Sequence, residues 1–210
     1  HSIFYKKDPL DMLLEMYFNI IPSKYPKKEI QILSPIKKGP MGVININKKI
    51  QERINPKKTQ DQIEINVDKY VLRKGDKVIQ TKNNYNLNFF NGDIGYIKEI
   101  YDKKTMLIET TNGKKINLTK LEEIIELELA YAITIHKSQG CEFDIVICPI
   151  SWMSKNMLNK NLLYTAITRG KEFFVFLGNF KAFQYGVRNI NNIKRKSNLS
   201  LLLENYKNSK

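Results

Sequence analysis

Apolar side chains recur every three or four positions in the first part of the chain, which is the spacing of a buried helix face. The first such run covers Asp8–Ile21 and starts with an Asp-Pro pair that suits a helix N-terminus. We expect Pro22 and Pro26 to end it. Glu29–Ser34 then predicts a short strand, and Val43–Ile54 predicts a second helix. This strand–loop–helix order is typical of α/β folds.

From about residue 61 the apolar positions alternate with a period of two. The alternating segments are short, and Asn-Asn, Asn-Gly and Gly-Asp pairs that favour tight turns separate them. The predicted strands are Ile63–Val67, Lys77–Thr81, Ile94–Tyr101, Met106–Thr110 and Lys115–Leu118. Several short strands joined by tight turns predict a small β-barrel.

After residue 121 the α/β pattern resumes. The predicted elements are a segment through Leu129–Ile135, a strand at Phe143–Ile150, a helix near Asn159–Arg169, a strand at Phe173–Leu177 and a short helix near Phe180–Val187. The sequence therefore predicts an α/β domain with a parallel sheet, formed by residues 1–62 and 123–188. A small barrel, residues 63–122, is inserted in it, and residues 189–210 form a basic tail.

The charge of the chain points to a polyanionic partner. The 210 residues carry a formal net charge of +14, with a pI near 9.6, as is common in nucleic-acid-binding proteins. Only five of the 35 basic residues are arginines, and the chain is rich in Lys, Asn and Ile. An AT-rich genome produces the same bias through codon usage, so part of this charge is expected to be solvated surface without a ligand.

Several classes of protein are disfavoured by composition. Cys141 and Cys148 are the only cysteines, too few for a disulfide framework, and with His1 and His136 as the only histidines a structural zinc site is not expected. No apolar run reaches the ~18 residues of a membrane span, and no signal peptide is visible. We therefore predict a cytoplasmic protein without a metal site. The start on histidine rather than methionine favours a fragment.

Two polar segments carry the candidate chemistry. The first places a hydroxyl, an imidazole, an amide and a carboxylate around Gly140, just before the strand that begins at Phe143. Such a turn suits an extended ligand. In the second, Arg169 follows Thr165 and Thr168 on the polar side of the predicted helix. An arginine there suits a phosphate ligand, although a cation that stabilises the helix C-terminus is the alternative.

These segments resemble motifs V and VI of superfamily 1 helicases, in the form of the RecD/TraA-type enzymes of the exodeoxyribonuclease V alpha-subunit family. Other matching segments follow in the same order. Leu33-Ser34-Pro35 with Gly39–Gly42 resembles motif IV. Lys74–Gly95 resembles an inserted Src-homology-3-like barrel, and Ala130-Tyr131-Ala132 leads into the motif V segment as in the family. The resemblance implies the second RecA-like domain and barrel of a helicase. It also implies motion from 5′ to 3′ along DNA.

Site residues follow from the resemblance. Arg169 is the implied catalytic arginine finger on the ATP γ-phosphate, and Gly140 and Glu142 are implied at the nucleotide. A motif IV lysine is implied at a phosphate, for which we select Lys38 although Lys37 also qualifies. The implied DNA contacts are Thr134, His136, Lys137, Ser138 and Gln139, and on the barrel Asn84 and Tyr85. For His136 a structural role is the alternative, and for the barrel residues, packing against the core.

The sequence has no P-loop. That motif needs Gly-Lys followed by Ser or Thr, whereas Gly113-Lys114 precedes lysine and Gly170-Lys171 precedes glutamate. In the family the P-loop and the Mg²⁺ ligands belong to the N-terminal RecA-like domain. We therefore expect ATP and Mg²⁺ to be cofactors of the full-length enzyme, with no cofactor tightly bound here. The fragment alone is expected to be inactive.

The implied partners are single-stranded or duplex-junction DNA and the N-terminal RecA-like domain of the same protein. Two alternatives remain open. One is a stand-alone nucleic-acid-binding module, and the other is the alpha subunit of an exonuclease V complex with beta and gamma subunits. A membrane partner is not expected, and the implied location is the bacterial cytoplasm.

Overall fold

The computed structural model describes residues 8–189 and Tyr206. Its helices are α1 (Pro9–Glu15), α2 (Ile21–Lys24), α3 (Val43–Ile54), α4 (Leu121–Ile124), α5 (Lys160–Ile167) and α6 (Phe180–Arg188). Its strands are β1 (Ile30–Ser34), β2 (Ile65–Val67), β3 (Tyr70–Leu72), β4 (Lys77–Gln80), β5 (Ile94–Ile100), β6 (Met106–Thr110), β7 (Lys115–Leu118), β8 (Leu127–Leu129), β9 (Ala132–Thr134), β10 (Phe143–Ile150) and β11 (Gly170–Gly178).

A four-stranded parallel sheet forms the α/β part, with the order β11-β10-β1-β9. The two central strands are almost fully buried, as a parallel sheet with helices on its faces requires. On α5, Leu162, Leu163 and Ala166 face the core, whereas Ile167 at the end of the helix is 42% exposed. The predicted α/β fold with a parallel sheet is confirmed.

The inserted unit is an antiparallel sheet with the order β7-β6-β5-β4-β8, accompanied by the hairpin β2–β3. Its buried side chains, such as Val78 and Ile97, belong to the same hydrophobic cluster as Ile32 and Ile46 of the α/β part. The two units are therefore packed on one shared core. The sheet includes β8, which lies past residue 122, where we placed the end of the insertion; the division into domains stays a prediction.

The first helix does not end at Pro22, and that prediction is wrong. A π-helical turn at Met16–Ile20 joins α1 to α2, and the N–H of Ile21 donates to the carbonyl of Met16. Proline has no N–H to donate, and it is tolerated in the first turn of a helical segment. The wider π turn lets α2 restart at this point, so that the helical path continues to Lys24.

The segment expected through residues 129–135 is two strands of different sheets. β8 pairs with β4 in the inserted sheet, and β9 pairs with β1 in the parallel sheet. The buried side chain of Asn47 holds the crossing: its amide donates to the carbonyls of Leu129 and Ala132 at 2.9 and 2.8 Å, and its oxygen accepts from the N–H of Ala132 at 2.7 Å. Gln31 donates to the carbonyls of Ala130 and Tyr131, both at 3.1 Å.

Asp76 is a second buried polar centre between the two units. Its carboxylate accepts hydrogen bonds from Asn55 at 2.8 Å, from the N–H of Arg73 at 2.7 Å and from the hydroxyl of Tyr131 at 2.9 Å. Gln51 of α3 donates a further one. Burial raises the pKa of Asp76, while these donors act in the opposite direction. The carboxylate thereby ties α3, the inserted sheet and the crossing segment together.

The buried amide of Asn47 gives a test of this junction. Asn47→Ala removes three hydrogen bonds and leaves two carbonyls and one N–H buried without that partner, so we expect a loss on the order of 3 kcal/mol in the free energy of unfolding, measured by urea denaturation. The matched control is Asn45→Ala on the same helix, which removes one exposed hydrogen bond to Pro40 and should cost below about 1 kcal/mol. Equal losses in both variants would contradict the assigned role.

Candidate nucleotide and nucleic-acid sites

The predicted ligand-binding residues lie at opposite edges of the parallel sheet. Thr134 is level with Ser34 at the carboxyl end of β1. The chain then forms the 3₁₀ helix Ile135–Ser138 and turns at Gly140 before β10 begins at Phe143. By strand register, Thr134 is level with the last residue of β1, whereas Phe143 lies before the first residue of β1. Along the strand direction, the two ends of this connection are therefore separated by about six residues, or roughly 20 Å.

Arg169 lies at the amino-terminal edge, just after α5, rather than within the helix as predicted. Its guanidinium donates from Nε to the carbonyl of Thr165 at 3.2 Å, from Nη1 to the carbonyl of Cys141 at 3.0 Å and from Nη2 to Oγ1 of Thr168 at 3.2 Å. The side chain is half-buried. It bridges the last turn of α5 and the loop before β10, and two of its five N–H groups remain for a ligand.

Gly140 and Glu142 lie in that same loop. Gly140 has a φ of +88°, and both residues are exposed. An L-residue with a side chain rarely adopts this conformation, so the glycine is required by the backbone. Between them, Cys141 places its sulfur 3.9 Å from the carbonyl oxygen of Gly92, and burial raises the pKa of its thiol. The structure thus brings Arg169 together with two of the three predicted ATP-binding residues.

Lys38, the third of these residues, lies elsewhere. It is exposed in the loop that follows the carboxyl end of β1, on the opposite edge of the sheet from Gly140 and Glu142. The structure therefore does not place Lys38 beside Gly140 and Glu142, as its prediction as an ATP-binding residue implied. Lys38 follows the predicted strand Glu29–Ser34 and Glu142 precedes the predicted strand Phe143–Ile150, so a parallel sheet already implies that the two loops lie at opposite edges. Lys38 is adjacent instead to Lys37, which lines a groove at the carboxyl-terminal edge.

That groove contains three of the residues predicted to contact DNA, namely Thr134, His136 and Lys137. Lys37 lines it too, together with Pro35, Ile36 and Met157. His136 is exposed, and Lys137 forms an ion pair of 2.7 Å with Glu128 of β8. A second, smaller cavity shares Lys37, Thr134 and Lys137 and extends to the hairpin β2–β3 at Lys69. This second cavity thus connects the groove to the inserted unit.

Ser138 and Gln139 are placed differently from their neighbours. Ser138 is fully buried, and its hydroxyl donates to the carbonyl of Ile135 at 2.8 Å within the 3₁₀ helix. Gln139 is exposed but does not line the groove. The hydroxyl of Ser138 thus stabilises the turn that presents His136. Direct contact of Ser138 or Gln139 with DNA stays a prediction.

Asn84 and Tyr85 lie in the loop after β4 and do not line the groove. The Oδ1 atom of Asn84 accepts from the N–H of Leu87 at 3.1 Å, so this amide shapes the turn. Tyr85 is 73% exposed, and its ring meets that of Phe90 edge-on, with centroids 5.9 Å apart. Phe89, by contrast, is fully buried. The loop therefore serves packing and also presents an exposed aromatic pair.

Sequence reasoning missed several residues at the carboxyl-terminal edge. Met157 was not predicted as a groove residue, and large apolar side chains such as Trp152 and Met153 are more often buried than exposed. They are instead 46% and 64% exposed. A run of large apolar residues after a buried strand is typical of a core, and only the tertiary arrangement shows that the chain leaves the sheet here.

Two family models match the chain in succession. Residues 46–110 match the SH3 domain of ATP-dependent RecD-like DNA helicases, and residues 129–177 match the C-terminal domain of UvrD-like helicases. The chain belongs to the RecD-like helicases. The two matches correspond to the inserted sheet and to the second part of the parallel sheet with both candidate sites.

Curated relatives agree with this assignment. The ATP-dependent RecD2 DNA helicase of Deinococcus radiodurans is 34% identical over 155 residues, which is 74% of this chain and 21% of that protein. The RecBCD enzyme subunit RecD of Buchnera aphidicola is 28% identical over 179 residues, which is 85% of this chain and 28% of the relative. The RecD-like chain thus spans less than a third of the length of these relatives.

Solved structures agree on the fold. The Pif1 helicase from Bacteroides in complex with ADP-AlF3 and ssDNA superimposes with a TM-score of 0.54 and 22% identity, covering 96% of this chain and 50% of that one. The same Bacteroides helicase bound to ssDNA gives a TM-score of 0.52 and covers 99% of this chain. The predicted RecA-like parallel-sheet domain with an inserted SH3-like barrel, in a RecD-type helicase, is confirmed.

Within 8–189 and at Tyr206, no group of three His, Cys, Asp or Glu side chains is arranged to hold a metal ion. Over the same residues, no helix is both long and apolar enough to span a bilayer.

The turn at Gly140 gives a test of the loop beside Arg169. Gly140→Ala meets no neighbouring atom but must adopt a positive φ, so we expect a loss of about 1–2 kcal/mol in unfolding free energy. Gly140→Asn should cost less, because the short polar side chain of asparagine tolerates this conformation. Thermal unfolding of both variants checks the order. If alanine proved no worse than asparagine, backbone strain would not explain the glycine.

Proposed function

We propose that the chain is the C-terminal motor region of an ATP-dependent 5′–3′ DNA helicase, supplying an arginine finger and part of the single-stranded DNA track. One observation carries the proposal: a single short connection, Thr134–Phe143, begins in a basic groove at one edge of the sheet and ends beside Arg169 at the other. A ligand-dependent shift at either edge would move both ends of this connection. That is the arrangement needed to couple nucleotide hydrolysis to movement along DNA.

The amino-terminal edge forms the nucleotide half of this proposal. Arg169 is anchored by carbonyl groups on two sides and keeps two N–H groups for the γ-phosphate. Such a group stabilises charge that develops during phosphoryl transfer. The exposed carboxylate of Glu142 and the backbone at Gly140 suit a ribose at the same edge. We assign the P-loop and the Mg²⁺ ligands to an N-terminal RecA-like domain that closes on this edge.

The groove at the other edge forms the DNA half. Lys37 supplies positive charge, and Thr134 and His136 supply hydrogen-bonding groups for the sugar-phosphate backbone. The charge of Lys137 is shared with Glu128. We assign Lys38, which is exposed next to Lys37, to this half as a phosphate contact. The exposed pair Tyr85 and Phe90 offers a further contact surface on the inserted unit, where aromatic rings stack on bases in many single-strand-binding proteins.

Membership of a nuclease complex is the second candidate function, since several relatives are named RecBCD enzyme subunit RecD. In that case exonuclease V beta and gamma subunits would be the partners of the full-length protein, and co-purification with them would distinguish the two candidates. A stand-alone nucleic-acid-binding module is distinguished differently. Adding the N-terminal RecA-like domain restores ATP hydrolysis only if the chain is half of a motor.

The groove predicts weak, salt-dependent binding to single strands. We expect the logarithm of the association constant to fall linearly with the logarithm of salt concentration, with a slope of about −0.7 per phosphate neutralised. Fluorescence anisotropy of a labelled oligonucleotide measures it. Lys37→Gln should make the slope shallower by roughly one phosphate contact, whereas Lys115→Gln, an exposed lysine of the inserted unit, should leave it unchanged. An affinity that does not change with salt concentration would contradict binding through phosphate contacts.

Arg169 gives the sharpest test of the motor assignment. In the protein joined to its P-loop domain, Arg169→Lys and Arg169→Ala should both lower kcat by roughly 10³-fold or more, while KM for ATP changes far less. Arg169→Ala should also cost about 1–2 kcal/mol of stability, because the side chain is half-buried and donates three hydrogen bonds. Arg53→Lys is the control, and a wild-type kcat in Arg169→Lys would refute the finger.

A further inference from the structure

An exposed aromatic surface lies where the chain leaves β10 at the carboxyl-terminal edge. Trp152 begins the 3₁₀ helix Trp152–Ser154, which is stabilised by the hydroxyl of Ser154 donating to the carbonyl of Ser151 at 2.6 Å. The ring of Trp152 lies beside that of Tyr185 of α6, with centroids 5.9 Å apart and planes inclined by 52°. We call these two side chains, which are 46% and 36% exposed, the aromatic shelf.

Positive charge surrounds the aromatic shelf. The ammonium of Lys155 lies 6.0 Å from the ring centroid of Trp152 and 5.3 Å from that of Tyr185. The three segments that build this part of the surface, residues 35–42, 151–160 and 180–189, contain six basic residues and no Asp or Glu. Those residues are Lys37, Lys38, Lys155, Lys160, Lys181 and Arg188. An anionic ligand is therefore attracted to this surface.

The aromatic shelf is continuous with the DNA groove. Met153, next to Trp152, reaches the loop after β1, because its Cε atom would be 3.3 Å from a Cβ atom built on Gly39. Met157, five residues after Trp152, lines the groove with Lys37 and His136. Met153 and Met157 therefore connect the segment that carries Trp152 to the loop after β1 and to the groove.

We propose that Trp152 and Tyr185 form a base-stacking platform that extends the binding site for single-stranded nucleic acid beyond the groove. The proposal rests on the proposed function and adds a subsite to it. Exposed aromatic rings flanked by cations provide both the stacking surface for bases and the countercharge for phosphates. A protein partner would instead favour a surface depleted in lysine, and the lysine-rich margin of the aromatic shelf fits a nucleic acid better.

The chain carries its own probe, because Trp152 is its only tryptophan. Titration with an oligothymidylate of about 16 nucleotides should change the tryptophan fluorescence, with the same saturation curve as the anisotropy of a labelled strand. An abasic strand of equal length carries the phosphates without the bases. It should raise the anisotropy at low salt without the stacking-dependent quenching.

Substitutions separate stacking from charge. Trp152→Ala should weaken oligothymidylate binding roughly 5- to 150-fold, the range expected for one base stack, and Trp152→Phe should recover most of the affinity. Neither should alter binding of the abasic strand. Tyr101→Ala, an exposed aromatic side chain of the inserted unit, is the matched control and should bind as the parent does. Because Trp152 is exposed, thermal unfolding should shift little in its variants.

Each outcome decides a separate point. If the oligonucleotide binds but the fluorescence does not change and Trp152→Ala binds normally, the platform is wrong while the proposed function stands. Equal quenching by the abasic strand also overturns stacking. If the fluorescence of Trp152 shows that it becomes buried when the chain self-associates without nucleic acid, the aromatic shelf is a protein contact and the platform is wrong. Absence of any binding at low salt would overturn both proposals.

Discussion

The structure depends on one buried polar crossing, where the chain leaves the inserted sheet at Leu129 and enters the parallel sheet at Ala132. Two consecutive short strands belong to different sheets here, so neither sheet alone can satisfy the backbone groups between them. The side chains of Asn47 and Gln31 satisfy them instead. Buried backbone groups left without partners cost about 1–3 kcal/mol each. The crossing therefore fixes the relative position of the two units.

Both candidate sites depend on this crossing. β9 begins directly after it, and the carboxyl end of β9 presents Thr134 to the groove. The ion pair between Lys137 and Glu128 then joins the groove to β8 on the other side of the crossing. At the far edge, the carbonyl of Cys141 is held by Arg169. Short hydrogen-bonded segments thus link the inserted unit, the groove and the loop of Gly140.

Local signals were enough to predict much of this fold from sequence. The helix Val43–Ile54 was predicted with its observed bounds, since its apolar spacing and the following Asn-Pro pair are local. The parallel sheet with an inserted β unit followed from the change of period. Two features were not accessible from the sequence: the π turn that accommodates Pro22 and the exposure of Trp152. Periodicity specifies which face of an element is buried, but not which elements meet at a sheet edge.

The sequence left two interpretations of Arg169 open: a cation that stabilises the C-terminus of α5, and a side chain that binds a phosphate. A cation at the C-terminus of α5 needs only the carbonyls of the last helical turn, and Nε meets that need at Thr165. The second hydrogen bond, from Nη1 to the carbonyl of Cys141, is made to the loop of Gly140 and Glu142 and does not stabilise the helix. A planar guanidinium spans both partners, whereas an ammonium is a single point of charge. Both bonds together use the fork of the guanidinium, which a lysine in the same place could not reproduce.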